Sequence, residues 1–253
     1  MKTSDIQVTA IHPERWGDDL DVVNAARVSF HKESEWDLVQ RPITQEDIDN
    51  NPYCESIEAI YTPKLKIGDE KLIRYLAKHK HFSPFNHSFI TMRVKAPIFV
   101  ARQLVKHKFM PWNEVSRRYV DEEPEFYFPE YWRKKADNVK QGSSDEQVSG
   151  YIENEEWAGD IDEDFLVVIE NSLGLYRCMI DNSVAPEQAR MILPQNTMTE
   201  WIWSGTLGAW CDMLTLRLDP HTQYESRIVA QKAVELIRPY FPVSIAARLE
   251  QND

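Results

Sequence analysis

Cysteine is scarce in this chain of 253 residues: only Cys54, Cys178 and Cys211 occur, widely spaced and without a CxxC pair. Such a scattered, odd set builds neither a disulfide framework nor a zinc knuckle, and it fits a reducing compartment, so a cytoplasmic location is expected. Glycine is scarce as well, with eight residues, about 3% against a usual share of about 7%. Neither GxGxxG nor GxxxxGK[ST] is present, so any phosphate must be held by side chains and not by a glycine-rich loop. No apolar run approaches about 18 residues, the length that would cross a membrane. The opening MKTSDIQVTAIHPERW lacks the apolar core of a secretory signal. Positive charge is in deficit, 29 Lys and Arg against 41 Asp and Glu for a formal net charge of -12. That balance weighs against general binding of duplex nucleic acid, which needs a broad basic surface.

What is present is core-forming material: 42% hydrophobic residues, with 8 Trp, 10 Tyr and 10 Phe. A chain of this length buries a sizeable core, and its composition is that of a folded protein. Asp19–Phe30 reads as a short helix entering a loop near Ser29. Residues 31–63 read as a long polar excursion carrying one short helix. In DEKLIRYLAKH the apolar residues recur at helical spacing, whereas SFITMRVKAP alternates as a half-buried strand does. Pro97 suits the start of a helix that Pro111 stops. Glu125–Trp132 reads as a strand or sheet edge. Asp145 to Asp164 holds nine acids and no Lys or Arg, the pattern of a solvated insertion, and removal of Gln141–Glu156 is expected to leave fold and activity largely intact. Helices are expected over Asp164–Asn182, Pro186–Leu193, Thr199–Leu218 with Thr199 as N-cap, and Thr222–Arg238. The fold class that results is α+β: a single domain spanning 1–253, with a mainly antiparallel sheet, long helices, and insertions at about 31–63 and 137–164.

Against the acidic background, Lys95 to Arg118 gathers six Lys and Arg around a single acid, Glu114. Cations closing a helix offset its dipole by about 0.3–1 kcal/mol, which covers Lys106, His107 and Lys108. It does not account for Ser116, Arg117 and Arg118 beyond a loop that contains Asn113 and Glu114. A pocket for an anion is the competing reading, since Arg and Lys recognise phosphate through charge-assisted hydrogen bonds. His79, His81 and His87 lack a neighbouring carboxylate or Cys at metal-ligand spacing, so they are read as loop residues contacting a ligand, with no metal. Arg190 and Arg217 lie on expected helices, where a surface ion pair is the plainer role; for Arg217 the partner would be Asp219. Cys178 and Cys211 sit among apolar residues of helices and are expected to be buried and inert, so a thiolate nucleophile is not assigned.

KHKFMPWNEVSRRY resembles the signature of the flavin-dependent thymidylate synthases: Arg-His-Arg, seven residues, then Ser, with Asn-Glu in the gap and Arg-Tyr beyond. Here the same spacing runs from Lys106-His107-Lys108 to Ser116, Arg118 and Tyr119. AARVSF, HFSPFNH, VKAPIFVARQ, ARMILP and LRLDPHTQYE are similar to further family segments, in the family's order. The resemblance implies a homotetramer with active sites shared between subunits. It implies conversion of dUMP to dTMP, with methylenetetrahydrofolate as carbon donor, FAD as hydride carrier and NADPH as reductant. Arg217 would favour ionisation of the uracil ring, with Ser116 beside it as the second catalytic position. Gln103, Lys106, Glu114, Ser116, Arg117, Arg118 and Arg190 would surround the nucleotide. Ser29, His81, Ser83, Lys106, His107, Lys108, Glu114 and His221 fall at flavin-side positions, as do Thr206, Gly208 and Asp212.

The chain departs from the family pattern at several of these places. Both outer Arg of the triplet are Lys, Pro111 replaces a common Ser, and Asn86 replaces a common Glu. Thr206-Leu207-Gly208 stands for a common Asn-x-Arg, and Asp212 for Asn. Changes on the flavin side keep two other readings open. One is an enzyme that modifies dUMP differently, for example by hydroxymethylation; the other is a nucleotide- or RNA-binding module with Trp112 and Tyr119 as stacking platforms.

Overall fold

The computed structural model describes residues 1–56, 59–120, 122–136 and 143–249. The alternation in Phe89–Pro97 and Met198–Thr206 is what organises the larger of two compact units, formed by Met1–Pro13 and Ile90–Leu236. In Phe89–Pro97, Ile90, Met92, Val94 and Ala96 are buried while the residues between them are more exposed, as a pleated strand requires. Both strands join a four-stranded sheet in the order Gln7–Ala10, Phe89–Pro97, Met198–Thr206, Trp112–Glu114. The two outer pairings are antiparallel. Thr91 Oγ1 meets Ser204 Oγ at 3.0 Å, and Ile98 N–H donates to Thr197 O at 2.9 Å. The end of one central strand therefore lies beside the start of the other, and the central pair is antiparallel too.

Each central strand turns directly into a helix, Ile98–Leu104 after Pro97 and Leu207–Arg217 after Thr206. The helix expected over Thr199–Leu218 is thus strand for its first half. β-Branched and aromatic residues in TEWIWSGT favour the pleat, and Trp201, Trp203 and Gly205 are buried on alternate positions. The N-cap is Thr206, not Thr199: its hydroxyl accepts from Ala209 N–H at 3.2 Å. The helix after Pro97 ends at Leu104, ahead of Pro111. Farther from the sheet, Ile161–Asp181 packs Ile169, Leu173 and Tyr176 against Phe126 and Ala189.

The acidic stretch is more ordered than its composition suggests. Ser143–Gln147 pairs with Arg133–Lys135, Tyr151–Glu153 pairs with Ala158–Asp160, and Asp160 caps the helix Ile161–Asp181. Cross-strand pairing satisfies backbone groups that a solvated coil would leave to water, and the acids serve the positive end of a helix dipole. Residues 137–142 of the expected insertion lie outside the described residues. Removing the stretch would strip Arg133 of a partner, because Arg133 Nε donates to Ser143 Oγ at 2.8 Å. The expectation that it is dispensable is therefore withdrawn.

The smaller unit comprises Glu14–Phe89 and Ile237–Asp253. Three helices, Asp19–Arg27, Ile67–Lys78 and Pro242–Leu249, pack together around Val22, Val23, Ile73 and Ile245. The last of these was not anticipated; its moderately apolar PVSIAARL follows Phe241 without a polar turn signal. Gly17, at φ +85°, makes the turn into the first helix, where a Cβ would meet Asp21 Oδ2 at 2.3 Å. The polar excursion folds as a hairpin, Asp37–Arg41 against Ile60–Lys64, around the short helix Gln45–Asn50.

Two buried carboxylates hold this unit together. Asp19 accepts from Val243 N–H at 2.7 Å and Ser244 N–H at 2.9 Å, capping a helix more than two hundred residues away. Burial pushes the Asp19 carboxyl up, against the pull of those donors. Asp69, fully buried, pairs with Arg27 and accepts from Ser34 Oγ. Ser34 is in turn bound to Asn24 through its N–H at 2.8 Å. Breaking a buried ion pair costs about 3–5 kcal/mol, whereas the Arg41–Asp47 pair lies at the surface, where solvent screens it. Denaturant unfolding should show Asp69→Ala losing several-fold more stability than Arg41→Ala.

Candidate active site

At the close of the helix Ile98–Leu104 the chain delivers Gln103, then Lys106, His107 and Lys108, to the C-terminal end of Leu207–Arg217. Arg217 donates from Nε to His107 Nε2 at 2.9 Å, from Nη1 to Gln103 Oε1 at 3.4 Å, and from Nη2 to the Gln103 carbonyl at 3.3 Å. The two amides between them are oriented by further bonds. Ser226 Oγ donates to Gln103 Oε1 at 2.7 Å, and Gln103 Nε2 donates to Gln223 Oε1 at 2.7 Å. Gln223 Nε2 reaches Glu225 Oε2 at 3.3 Å, and buried Glu225 pairs with Arg133. Arg133 also lies over the Tyr224 ring, 4.5 Å from its centre.

Arg217 is therefore held entirely by neutral acceptors. Among the described residues no carboxylate lies within ion-pair distance of it. Asp219, its expected surface partner, instead accepts from His221, through N–H at 2.7 Å and Nδ1 at 3.0 Å. Burial pushes the Arg217 pKa downward. Of the five N–H donors of a guanidinium, three are engaged, which leaves two for a ligand. A cavity of about 720 Å³ lies beside them, lined by Gln103, Lys106, Arg133, Ser143, Arg217 and Gln223 among others. That is within the range of small-molecule sites.

Tryptophans wall the other side. Trp203 stands 6.3 Å from the His107 ring and 4.9 Å from Trp210, and Trp112 stacks on Trp201 at 4.2 Å. The apolar wall explains the imidazole's behaviour: desolvation first, and then the Arg217 charge, lower the His107 pKa to about 4. Lys106 and Lys108 on either side of it are exposed. Phe109, 86% exposed, is held at φ +61°, a conformation that costs a non-glycine residue about 1–2 kcal/mol.

The remaining nucleotide-side residues fall elsewhere in this unit. Glu114, on the edge strand Trp112–Glu114, accepts from Thr199 Oγ1 at 2.7 Å and Trp112 Nε1 at 3.0 Å. Ser116 Oγ accepts from Arg118 Nε at 3.0 Å, and Arg117 Nη1 donates to the Glu122 carbonyl at 2.9 Å. Arg190 is exposed, with a bond at 3.3 Å to the Glu187 carbonyl. None of these five lines the Arg217 cavity. Thr206 has its hydroxyl in the helix cap, Gly208 is buried, and Asp212 is exposed. In the smaller unit, Ser29, His81 and Ser83 line one cavity of about 960 Å³, with Arg27, Lys32 and the exposed rings of Phe30 and Phe82. His79 and His81 pack on Tyr75, at 4.3 and 5.9 Å between ring centres.

Gln223, Glu225, Ser226, Arg133 and Ser143 escaped the sequence reading. Gln223 and Glu225 stand in the quoted LRLDPHTQYE, so their signal was available. Ser143 lies in the insertion expected at about 137–164, and Arg133 just ahead of it. The thiols are also only half as expected: Cys211 is buried, but Cys178 is exposed, on the outer face of its helix.

Trp112, a stacking platform in the nucleic-acid reading, is already stacked on Trp201. Among the described residues Arg217 instead faces its cavity without a counter-ion, an arrangement chemically suited to an anionic ligand. The model of the thymidylate synthase complementing protein family matches residues 13–243. A flavin-dependent thymidylate synthase of Thermosipho melanesiensis is 33% identical over 243 residues, covering 93% of this chain and 88% of its own. That of Thermus thermophilus is 34% identical over 238 residues, covering 92% and 73%. Among solved structures, the UMP/dUMP methylase PolB from Streptomyces cacaoi, bound with 5-Br dUMP, superposes with a TM-score of 0.71 at 26% identity. That match covers 98% of this chain and 96% of PolB. The chain belongs to the thymidylate synthase complementing protein family, the flavin-dependent thymidylate synthases. The α+β fold and the family resemblance read from the motifs both hold.

The depressed His107 pKa has a measurable sign. Below the ordinary imidazole value of 6.5 the unfolded chain takes up a proton that the folded chain refuses until about pH 4. The contribution to stability is thus present above pH 6.5 and is lost as pH falls toward 4. Thermal unfolding followed from pH 7 to pH 4 should fall less steeply for His107→Gln than for the wild type.

Proposed function

We propose that this chain catalyses reductive methylation of dUMP to dTMP, taking the carbon from methylenetetrahydrofolate and the reducing equivalents from NADPH through FAD. The observation that carries the proposal is Arg217, half-buried against neutral acceptors with two N–H groups left over and, among the described residues, no carboxylate to neutralise it. A guanidinium so placed stabilises negative charge as the uracil ring loses its N3 proton, which makes C5 nucleophilic. Preorganisation by Gln103 and His107 means that no reorientation is needed when that charge develops.

Around the nucleotide, Gln103 and Lys106 belong to the same cavity as Arg217. Glu114, Ser116, Arg117, Arg118 and Arg190 would complete the nucleotide contacts, with Ser116 nearest the chemistry. Their positions outside the Arg217 cavity agree with a homotetramer in which neighbouring subunits complete each site. The residues assigned to flavin fit such a group on two counts. Exposed Lys106 and Lys108 supply cations for its phosphates. The cavity at Ser29, His81 and Ser83 combines exposed aromatic rings with hydroxyl and imidazole groups. His107, Glu114, Asp212 and His221 complete the flavin-side set, while Thr206 and Gly208 would act there only through the backbone. Reduced FAD, when bound, supplies the hydride. The two units are proposed to work as one domain, in the cytoplasm.

The purified protein is expected to carry flavin absorbance and, incubated anaerobically with dUMP, methylenetetrahydrofolate and NADPH, to form dTMP. A hydroxymethylated product, or no flavin, would replace this reading with the variant chemistry. Arg217→Lys keeps charge but loses the planar fork, so turnover should fall by about 10²-fold, as when one oxyanion donor is removed. Arg190→Ala, placed on nucleotide holding, should raise the KM for dUMP with little change in kcat. A folded, flavin-loaded Arg217→Lys enzyme of normal turnover would remove Arg217 from the mechanism.

A further inference from the structure

A histidine between two lysines would ordinarily be read as a third cation for phosphate. The geometry contradicts that. Arginine offers five donors and no acceptor, so the 2.9 Å contact from Arg217 Nε requires a lone pair on His107 Nε2. An imidazolium would set donor against donor and cation against cation. The ring is consequently neutral with its proton on Nδ1, and the Trp203 ring, tilted against it at 6.3 Å between centres, contributes to the dry surroundings that keep it so. Its backbone is fixed as well, since His107 N–H donates to the Leu104 carbonyl at 3.1 Å.

We infer that His107 is a positioning residue for Arg217: its neutral imidazole accepts the Nε–H and so turns the unused guanidinium N–H groups toward the substrate ring. His107 and Gln103 form a two-sided clamp from one helix end, Nε held on one side and Nη1 and Nη2 on the other. Within Lys106-His107-Lys108, the outer residues point their charge outward and the middle one turns inward. The inference rests on the reading that Arg217 acts on the uracil ring, and it moves His107 from flavin contact to the clamp.

The test uses the full-length holoenzyme and 5-fluoro-dUMP, whose ring ionises more readily than uracil and reports its ionisation through the fluorine-19 chemical shift. His107→Phe keeps a flat ring against Trp203 but has no acceptor; His107→Gln restores an acceptor. The pH at which the bound ring ionises should be depressed, relative to the free nucleotide, in wild type and His107→Gln. In His107→Phe it should return toward the free value, with kcat lowered about 10²-fold and KM for dUMP changed by less than about threefold. Flavin retention should be equal in all three. His107→Phe that ionises the ring as wild type does, or that loses flavin while keeping ring ionisation, would overturn the inference. If His107→Phe does not fold, His107→Leu carries the same comparison with the same decisive outcomes. Arg217→Lys separates the two layers. Should it ionise the ring normally, the role of Arg217 itself fails. Should it lose ring ionisation while His107→Phe keeps it, only the clamp fails.

Discussion

The site in the larger unit centres on Arg217, a half-buried cation without a counter-ion among the described residues. Burying a guanidinium removes it from water, and most proteins offset that cost with a carboxylate. Here Arg217 receives a carbonyl, an amide oxygen and an imidazole nitrogen, which bind its protons without cancelling its charge. The charge therefore stays available to an anion. That arrangement demands rigid acceptors, and the strand-to-helix turns after Pro97 and Thr206 supply them by anchoring both helices to adjacent strands of one sheet.

The same demand shapes the surroundings. Gln103 could rotate its amide and present nitrogen to Arg217, and Ser226 and Gln223 prevent this by claiming each end of the group. Gln223 is in turn held by Glu225, and Glu225 by Arg133. The chain of bonds ends in the acidic insertion, at Ser143. Net charge matters here as well: with acids in excess across the chain, a local positive field stands out against the background and draws anions to one place.

In the smaller unit the long-range ties are charged and fully used. Asp19 caps a helix from the far end of the sequence, and Asp69 joins two helices and the loop at Ser34. These carboxylates act as structural pins, each with both oxygens accepting hydrogen bonds. Arg217 is the opposite case, deliberately left partly unsatisfied. The contrast separates groups whose hydrogen-bonding capacity is used within the fold from a group with donors to spare.

Periodicity by itself determined the strand Phe89–Pro97 and the helices Ile67–Lys78, Ile161–Asp181 and Tyr224–Ile237, because local burial repeats every two or about 3.6 residues whatever lies opposite. Motif spacing determined the family. Only tertiary structure decided that Thr199 begins no helix, since the pleat of TEWIWSGT is imposed by neighbouring strands. Only tertiary structure turned His107 toward Arg217, because that choice of partner depends on side chains meeting across 110 residues; Asp219 pairs locally instead, with His221 two residues on. It also gave order to the acidic stretch, whose composition records its solubility but not the strands it can pair with.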